Sequence, residues 1–222
     1  MTIYTLKIIA CITMILDHIK YGIPELNNFI TVYFGRLAYP LFAFYIVEGY
    51  IHTSDLKKYY KRLIIFGIIS QIPFMLFRTL VGEYLLLNIM FTLILGLISI
   101  NIYDKIKNKF ISIPLVIITI YLGKLLNVDY NWYGVATVFL LYLFKDYKFL
   151  KVLSFSILTL LYYYIRGILD FTSSYIILTF LFTISSTFII GLYNGEKGKG
   201  TSKFFYWFYP IHMIVIYLIS FA

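Results

Sequence analysis

The chain holds three histidines and few carboxylates, and several of them lie in or against long apolar runs. Ionisable side chains are costly inside a bilayer, so those retained there mark functional sites by default. Asp17 and His18 close the first apolar run. The plain role for both is to reach the outer headgroup layer. The chemical role is for His18 to act as a general base in a polar cavity. Successive helical residues point about 100° apart, so Asp17 does not hold the His18 ring and a partner must come from another segment. Asp129 or Asn88 is expected to be that partner. Arg36 opens the second run on the same side, where it can snorkel, pair with Asp17 or clamp an anion. Pro40, just beyond it, is expected to kink the helix and open a cavity.

Glu48 and His52, four apart, share a face at the inner end of that run and suit an intrahelical hydrogen bond as well as they suit catalysis. With no HExxH and no Cys–His cluster, zinc is not expected. The basic run Lys57, Lys58, Lys61, Arg62 follows; it is first a topology signal, and Lys58 and Arg62 could also bind the phosphates of a cytosolic molecule. Asn88 and Thr92 read as interhelical hydrogen-bonding residues or cavity lining. Asp129 stands out beside interfacial Tyr130 and Trp132. His212 lies well inside the last apolar run, and taken alone it reads as a buried imidazole bonded to a nearby carbonyl. The residues thus form an outer set (Asp17, His18, Arg36, Asn88, Asp129) and an inner set (Glu48, His52, Arg62), with His212 between.

The elements that must position these groups are apolar helices. Of 222 residues 61% are hydrophobic and 13% charged, and the excess recurs from end to end. A soluble domain has about twice that charged share. The class is an all-α polytopic integral membrane protein, and continuous rather than alternating apolar runs argue against a β-barrel. About nine spans are expected: Ile3–Tyr21, Val32–Tyr50, Leu63–Val81, Leu85–Tyr103, Phe110–Leu126, Trp132–Phe144, Phe149–Ile165, Tyr175–Tyr193 and Phe204–Phe221. The sixth is short enough for a half-span or re-entrant element, and eight spans with an interfacial helix is the alternative. No linker divides the chain, so residues 1–222 are taken as one domain. The net charge of +9 would suggest nucleic acid in a soluble protein. Here 14 of the 19 Lys and Arg fall on one side of the expected bundle, which the positive-inside rule places in the cytoplasm together with the N-terminus. The first run lacks a small-residue cleavage site and is expected to be retained. Cys11 is the single cysteine, so no internal disulfide can form. The loop Gly195–Gly200 lacks the strand, helix and spacing of a phosphate cradle. Without a GxxxG motif the oligomeric state stays open.

Several stretches resemble the TraX family, named for the conjugal-transfer protein that acetylates pilin. Leu6-Lys7-Ile8-Ile9-Ala10 with Met14 and Asp17-His18-Ile19 resembles its first motif. Gly35-Arg36-Leu37-Ala38-Tyr39-Pro40-Leu41-Phe42-Ala43-Phe44, followed by Glu48-Gly49 and His52-Thr53, resembles its second. Tyr59, Arg62-Leu63 and Ser70-Gln71-Ile72-Pro73-Phe74 are similar to the third. Asn88, Phe91-Thr92, Asp129-Tyr130, Tyr133-Gly134 and Tyr209-Pro210-Ile211-His212 continue the likeness. The resemblance implies a bacterial inner-membrane N-acetyltransferase. It would take acetyl-coenzyme A as donor and the N-terminal amine of a pilin-like or other membrane-associated protein as acceptor. Under it, His18 is the base or the acetyl carrier and Arg36 or Asn88 steadies the oxyanion. Lys58, Arg62, Glu48, His52 and His212 are the candidate donor-side residues. A transporter, or a non-catalytic partner of a pilus or secretion machine, is the rival reading.

Overall fold

The computed structural model describes residues 1–82, 86–199 and 202–221. Leu85 and Gly200, named above, lie outside the described residues. Nine α-helices are present among the described residues, one for each expected run: α1 Ile3–Gly22, α2 Ala38–His52, α3 Leu56–Thr79, α4 Ile89–Lys105, α5 Lys109–Leu125, α6 Asn131–Leu143, α7 Lys148–Ile165, α8 Ser174–Gly191 and α9 Ser202–Ile219. Among the described residues four segments are long and apolar enough to cross a membrane: Ile30–His52, α3, α7 and α8. Helix α1 has the length but carries Lys7, Asp17 and Lys20, and α4 and α5 stop at 17 residues.

Helix α3 shows the sidedness expected of such a segment. Ile64, Ile65, Ile68, Ile69 and Ile72 are exposed along one stripe, while Tyr59, Leu63, Ser70, Phe74 and Phe77 are buried on the other. An apolar stripe of that length suits lipid rather than water. The basic run is not a loop, as the charge pattern suggested, but the first two turns of this helix. The cause is Asp55, whose Oδ1 accepts the Lys58 N–H at 2.9 Å and whose main-chain carbonyl accepts that of Tyr59. This is an N-cap, and it starts the helix seven residues before the expected Leu63. The cap's hydrogen bond from Lys58 holds the exposed Asp55 carboxyl below the usual aspartate range.

The chain divides into two compact units. The first comprises Met1–Phe42, Ile72–Tyr84 and Thr159–Ala222; the second comprises Ala43–Gln71 and Leu85–Leu158. In the first, α1 packs against α9 and against a π-helical turn, Ile30–Phe34, which also meets α8. Asn28 caps this turn through Ile30 N, and the Thr31 hydroxyl donates to the Leu26 carbonyl. The irregularity expected near Pro40 therefore lies before it. Pro40 is the third residue of α2, where its missing N–H costs no helical bond. The start of α1 is tied to the loop after α8: the Met1 ammonium donates to Leu192 O, and Ile3 N and Tyr4 N donate to Glu196 O and Lys197 O. Lys7 and Lys197 thus share one end of the unit.

In the second unit α4, α5 and α6 pack on one another. Close approach is possible because a Cβ on Gly96 would sit 2.6 Å from Val138, and one on Gly123 2.9 Å from Val135. Helix α6 has the shortness expected of it, and nine of its 13 residues are buried. At one end of the unit, Asp104 accepts hydrogen bonds from Tyr50 at 2.8 Å and Tyr142 at 2.9 Å. The ends of α2, α4 and α6 therefore meet, as alternating loops require.

Candidate active site

The first unit gathers six of the charged or imidazole side chains around the end of α1: Asp17, His18, Lys20, Arg36, Arg78 and His212. Asp17 is buried and receives Lys20 Nζ at 3.1 Å, one turn on. It also forms an ion pair with Arg36, which stands just after the π turn. The pairing expected of Arg36 is present. It depends on Gly35, since a Cβ there would lie 2.7 Å from Asp17 Cα. π turns open a helix locally and recur at functional sites; here the turn brings the chain against α1 where Arg36 must meet Asp17. Arg78, at the end of α3, adds a further charge acting on His18.

His18 points away from Asp17, and its partner is neither Asp129 nor Asn88. Its Nδ1 lies 2.9 Å from Nε2 of His212 in α9, which is 194 residues away in sequence. The two rings are within 16° of parallel with centroids 5.2 Å apart, so they meet edge to edge rather than face to face. The remaining nitrogen of His212, Nδ1, lies 2.9 Å from the Phe208 carbonyl oxygen, the bond expected of this residue taken alone. The Phe208 ring lies parallel to that of His212, and Phe77 covers His18. His212 is buried and His18 partly so. His18 Nε2 has no hydrogen-bond partner among the described residues.

The rest of the expected outer set belongs to the second unit and is bound up in structure. Asn88 is fully buried and caps α4, its Oδ1 accepting Met90 N at 3.0 Å. Both amide protons are used, one on Gly67 O at 2.7 Å and one on Gln71 Oε1 at 2.8 Å. No donor is left for an oxyanion, so that role for Asn88 is withdrawn. Gln71 in turn donates to Leu86 O, while Leu87 and residues 127–129 exchange two main-chain hydrogen bonds. The Asp129 carbonyl accepts from Thr92, and its carboxylate accepts the Tyr130 N–H at 3.1 Å. Tyr130 and Asn131 take left-handed backbone angles to make this turn. Glu48 and His52 form the intrahelical contact expected, with His52 Nδ1 3.0 Å from Glu48 O and 3.5 Å from its carboxylate. Lys58 and Arg62 are exposed; Lys58 pairs with Asp55 at 3.3 Å, and Arg62 lies over the Tyr59 ring.

Sequence reasoning did not single out Lys20, although its spacing of three from Asp17 was a usable signal. Phe208 carried none, and Gln71, although part of the third motif, gave no sign of its bond to Asn88, which lies in what it touches. Among the described residues no group of three or more His, Cys, Asp or Glu could hold a metal ion.

Comparison with known proteins places this arrangement in a lineage. A probable fimbrial assembly protein, FimC of serogroup H1, from Dichelobacter nodosus is 28% identical over 236 aligned positions, covering 96% of this chain and 93% of that protein. No solved structure matches. The family model described as TraX protein matches residues 3–220, which include the His18–His212 pair and the Asp17 cluster, and the chain therefore belongs to the TraX family.

Proposed function

We propose that this protein is a multi-pass acetyltransferase of the bacterial inner membrane, with its N-terminus in the cytoplasm. It moves an acetyl group from acetyl-coenzyme A to the N-terminal amine of a pilin-like or other membrane-associated acceptor. The observation that carries the reading is the His18 imidazole, fixed edge to edge by His212 beside the Asp17–Lys20–Arg36 charges. Family membership and a fimbrial relative support it. His18 Nε2 is the base that takes a proton from the attacking amine. Arg36 supplies positive charge for the oxyanion that develops on the thioester carbonyl. The exposed cations opening α3, with Lys58 and Arg62 among them, have the chemistry to hold the donor's phosphates.

The test is transfer from labelled acetyl-coenzyme A to an N-terminal pilin peptide by the purified full-length protein, with donor binding followed by calorimetry. His18→Ala should lower turnover on the order of 10²–10⁴-fold while leaving donor binding intact. Arg62→Ala should weaken binding of the donor. Wild-type turnover by His18→Ala would remove His18 as the base. The relative's description as a fimbrial assembly protein favours one rival, a non-catalytic assembly partner. In that case a folded protein binds no acetyl-coenzyme A, and His18→Ala still supports assembly.

A further inference from the structure

We infer that His212 is the positioning residue for His18: it fixes which nitrogen of His18 is basic, so that His18 itself holds the proton and His212 does not conduct it onward. This rests on the reading of His18 as the base of acyl transfer. The Phe208 carbonyl oxygen can only accept a hydrogen bond. His212 Nδ1, 2.9 Å away, must therefore carry a hydrogen. In the neutral ring the other nitrogen, Nε2, then holds a lone pair. The atom facing it at 2.9 Å is His18 Nδ1, which must be the donor. A neutral His18 is thus protonated on Nδ1, and its lone pair sits on Nε2. The near-coplanar rings suit this in-plane hydrogen bond. Phe208, parallel to His212 at 9° with centroids 5.0 Å apart, limits rotation of the partner ring.

A direction for the proton follows. The amine nitrogen bonds to the thioester carbonyl carbon, and its proton passes to His18 Nε2. The C–S bond breaks with its electron pair on sulfur. A wire through His212 would end on the Phe208 carbonyl, which accepts hydrogen bonds but does not take protons. The proton therefore leaves by the atom it entered, from His18 Nε2 to the thiolate, giving an amide and a free thiol. His212 shares the positive charge held between these steps and keeps the ring aimed. The part resembles that of the carboxylate behind a catalytic histidine, but here an uncharged ring fills it, because Asp17 is already held by Lys20 and Arg36.

The experiment is nitrogen-15 magnetic resonance on full-length protein labelled at histidine, in lipid bilayers; with three histidines the rings can be assigned by substitution. His18 is expected with hydrogen on Nδ1 and a bare Nε2. In His212→Leu it should move towards the Nε2–H form, with His52 unchanged. In acetyl transfer, His212→Leu should lose on the order of 10²-fold in kcat. His212→Gln, which keeps an acceptor oxygen within reach of His18 Nδ1, should recover most of that. Hydrogen on Nε2 of wild-type His18, or a His212→Leu protein with unaltered tautomer or kcat, overturns the inference. The spectrum needs no donor, so a protein with the assigned tautomer that transfers no acetyl group sinks the catalytic reading and leaves the positioning geometry standing.

Discussion

Gly35→Ala tests whether the charge cluster depends on the close approach of two chain segments. A methyl group on Gly35 would lie 2.7 Å from Asp17 Cα and 2.8 Å from both its Cβ and Oδ1. A flexible side-chain tip can turn aside, but a helix Cα moves only if α1 moves. Overpacking of this kind costs about 1–3 kcal/mol, and contact with backbone puts it in the upper half. Moving α1 also strains the Asp17–Arg36 ion pair. Breaking a buried pair outright costs about 3–5 kcal/mol. Lys20 remains 3.1 Å from the carboxylate and the Arg36 side chain is 29% exposed, so only a fraction of that is added. The sum is about 2–4 kcal/mol, or on the order of 5–15 °C in Tm for a chain of this size. The assay is thermal unfolding of purified protein in detergent, with Gly191→Ala as the control. No atom lies within 4 Å of a Cβ at Gly191, so that change should be close to neutral. A Gly35→Ala protein that melts with the wild type, or a control that falls equally, would refute the reasoning.

Three more outcomes are expected. Asn88→Ala removes the partner of Gly67 O, Gln71 Oε1 and Met90 N at a fully buried site, and should destabilise by roughly 2–4 kcal/mol; an unchanged Tm would mean that Asn88 is not the tie described. Tyr50→Phe and Tyr142→Phe each delete one hydrogen bond to Asp104 and should each cost about 1 kcal/mol in the same melt, whereas no loss from either would remove Asp104 as the tie between helix ends. Asp55, with its carboxyl held low by the Lys58 amide, contributes a stabilisation present above the ordinary aspartate range and lost as pH falls through its depressed value. The Lys58 amide resonance should therefore titrate below the ordinary aspartate midpoint in wild type and not at all in Asp55→Asn, which still caps; a midpoint at or above the ordinary value contradicts the cap.

Much of this protein follows from the order of its residues, and what does so is local. Each of the nine apolar runs became a helix, because residues in sequence share a helix whatever packs on it. Glu48 and His52 meet for the same reason, being four apart on one helix. Asp17 and Arg36 needed little more, since a short turn leaves their segments side by side. Where α3 begins is local too, since Asp55 accepts an amide only three residues on. Tertiary structure alone decided the fate of Asn88, whose amide protons go to Gly67 and Gln71 rather than to a substrate. Above all it decided that His18 faces His212. A helix's own period says which residues share a face, but not which face of another helix, 194 residues on, will turn towards it. That is settled by packing across the unit, through contacts such as Gly22 against Ile216 and Gly35 against Asp17.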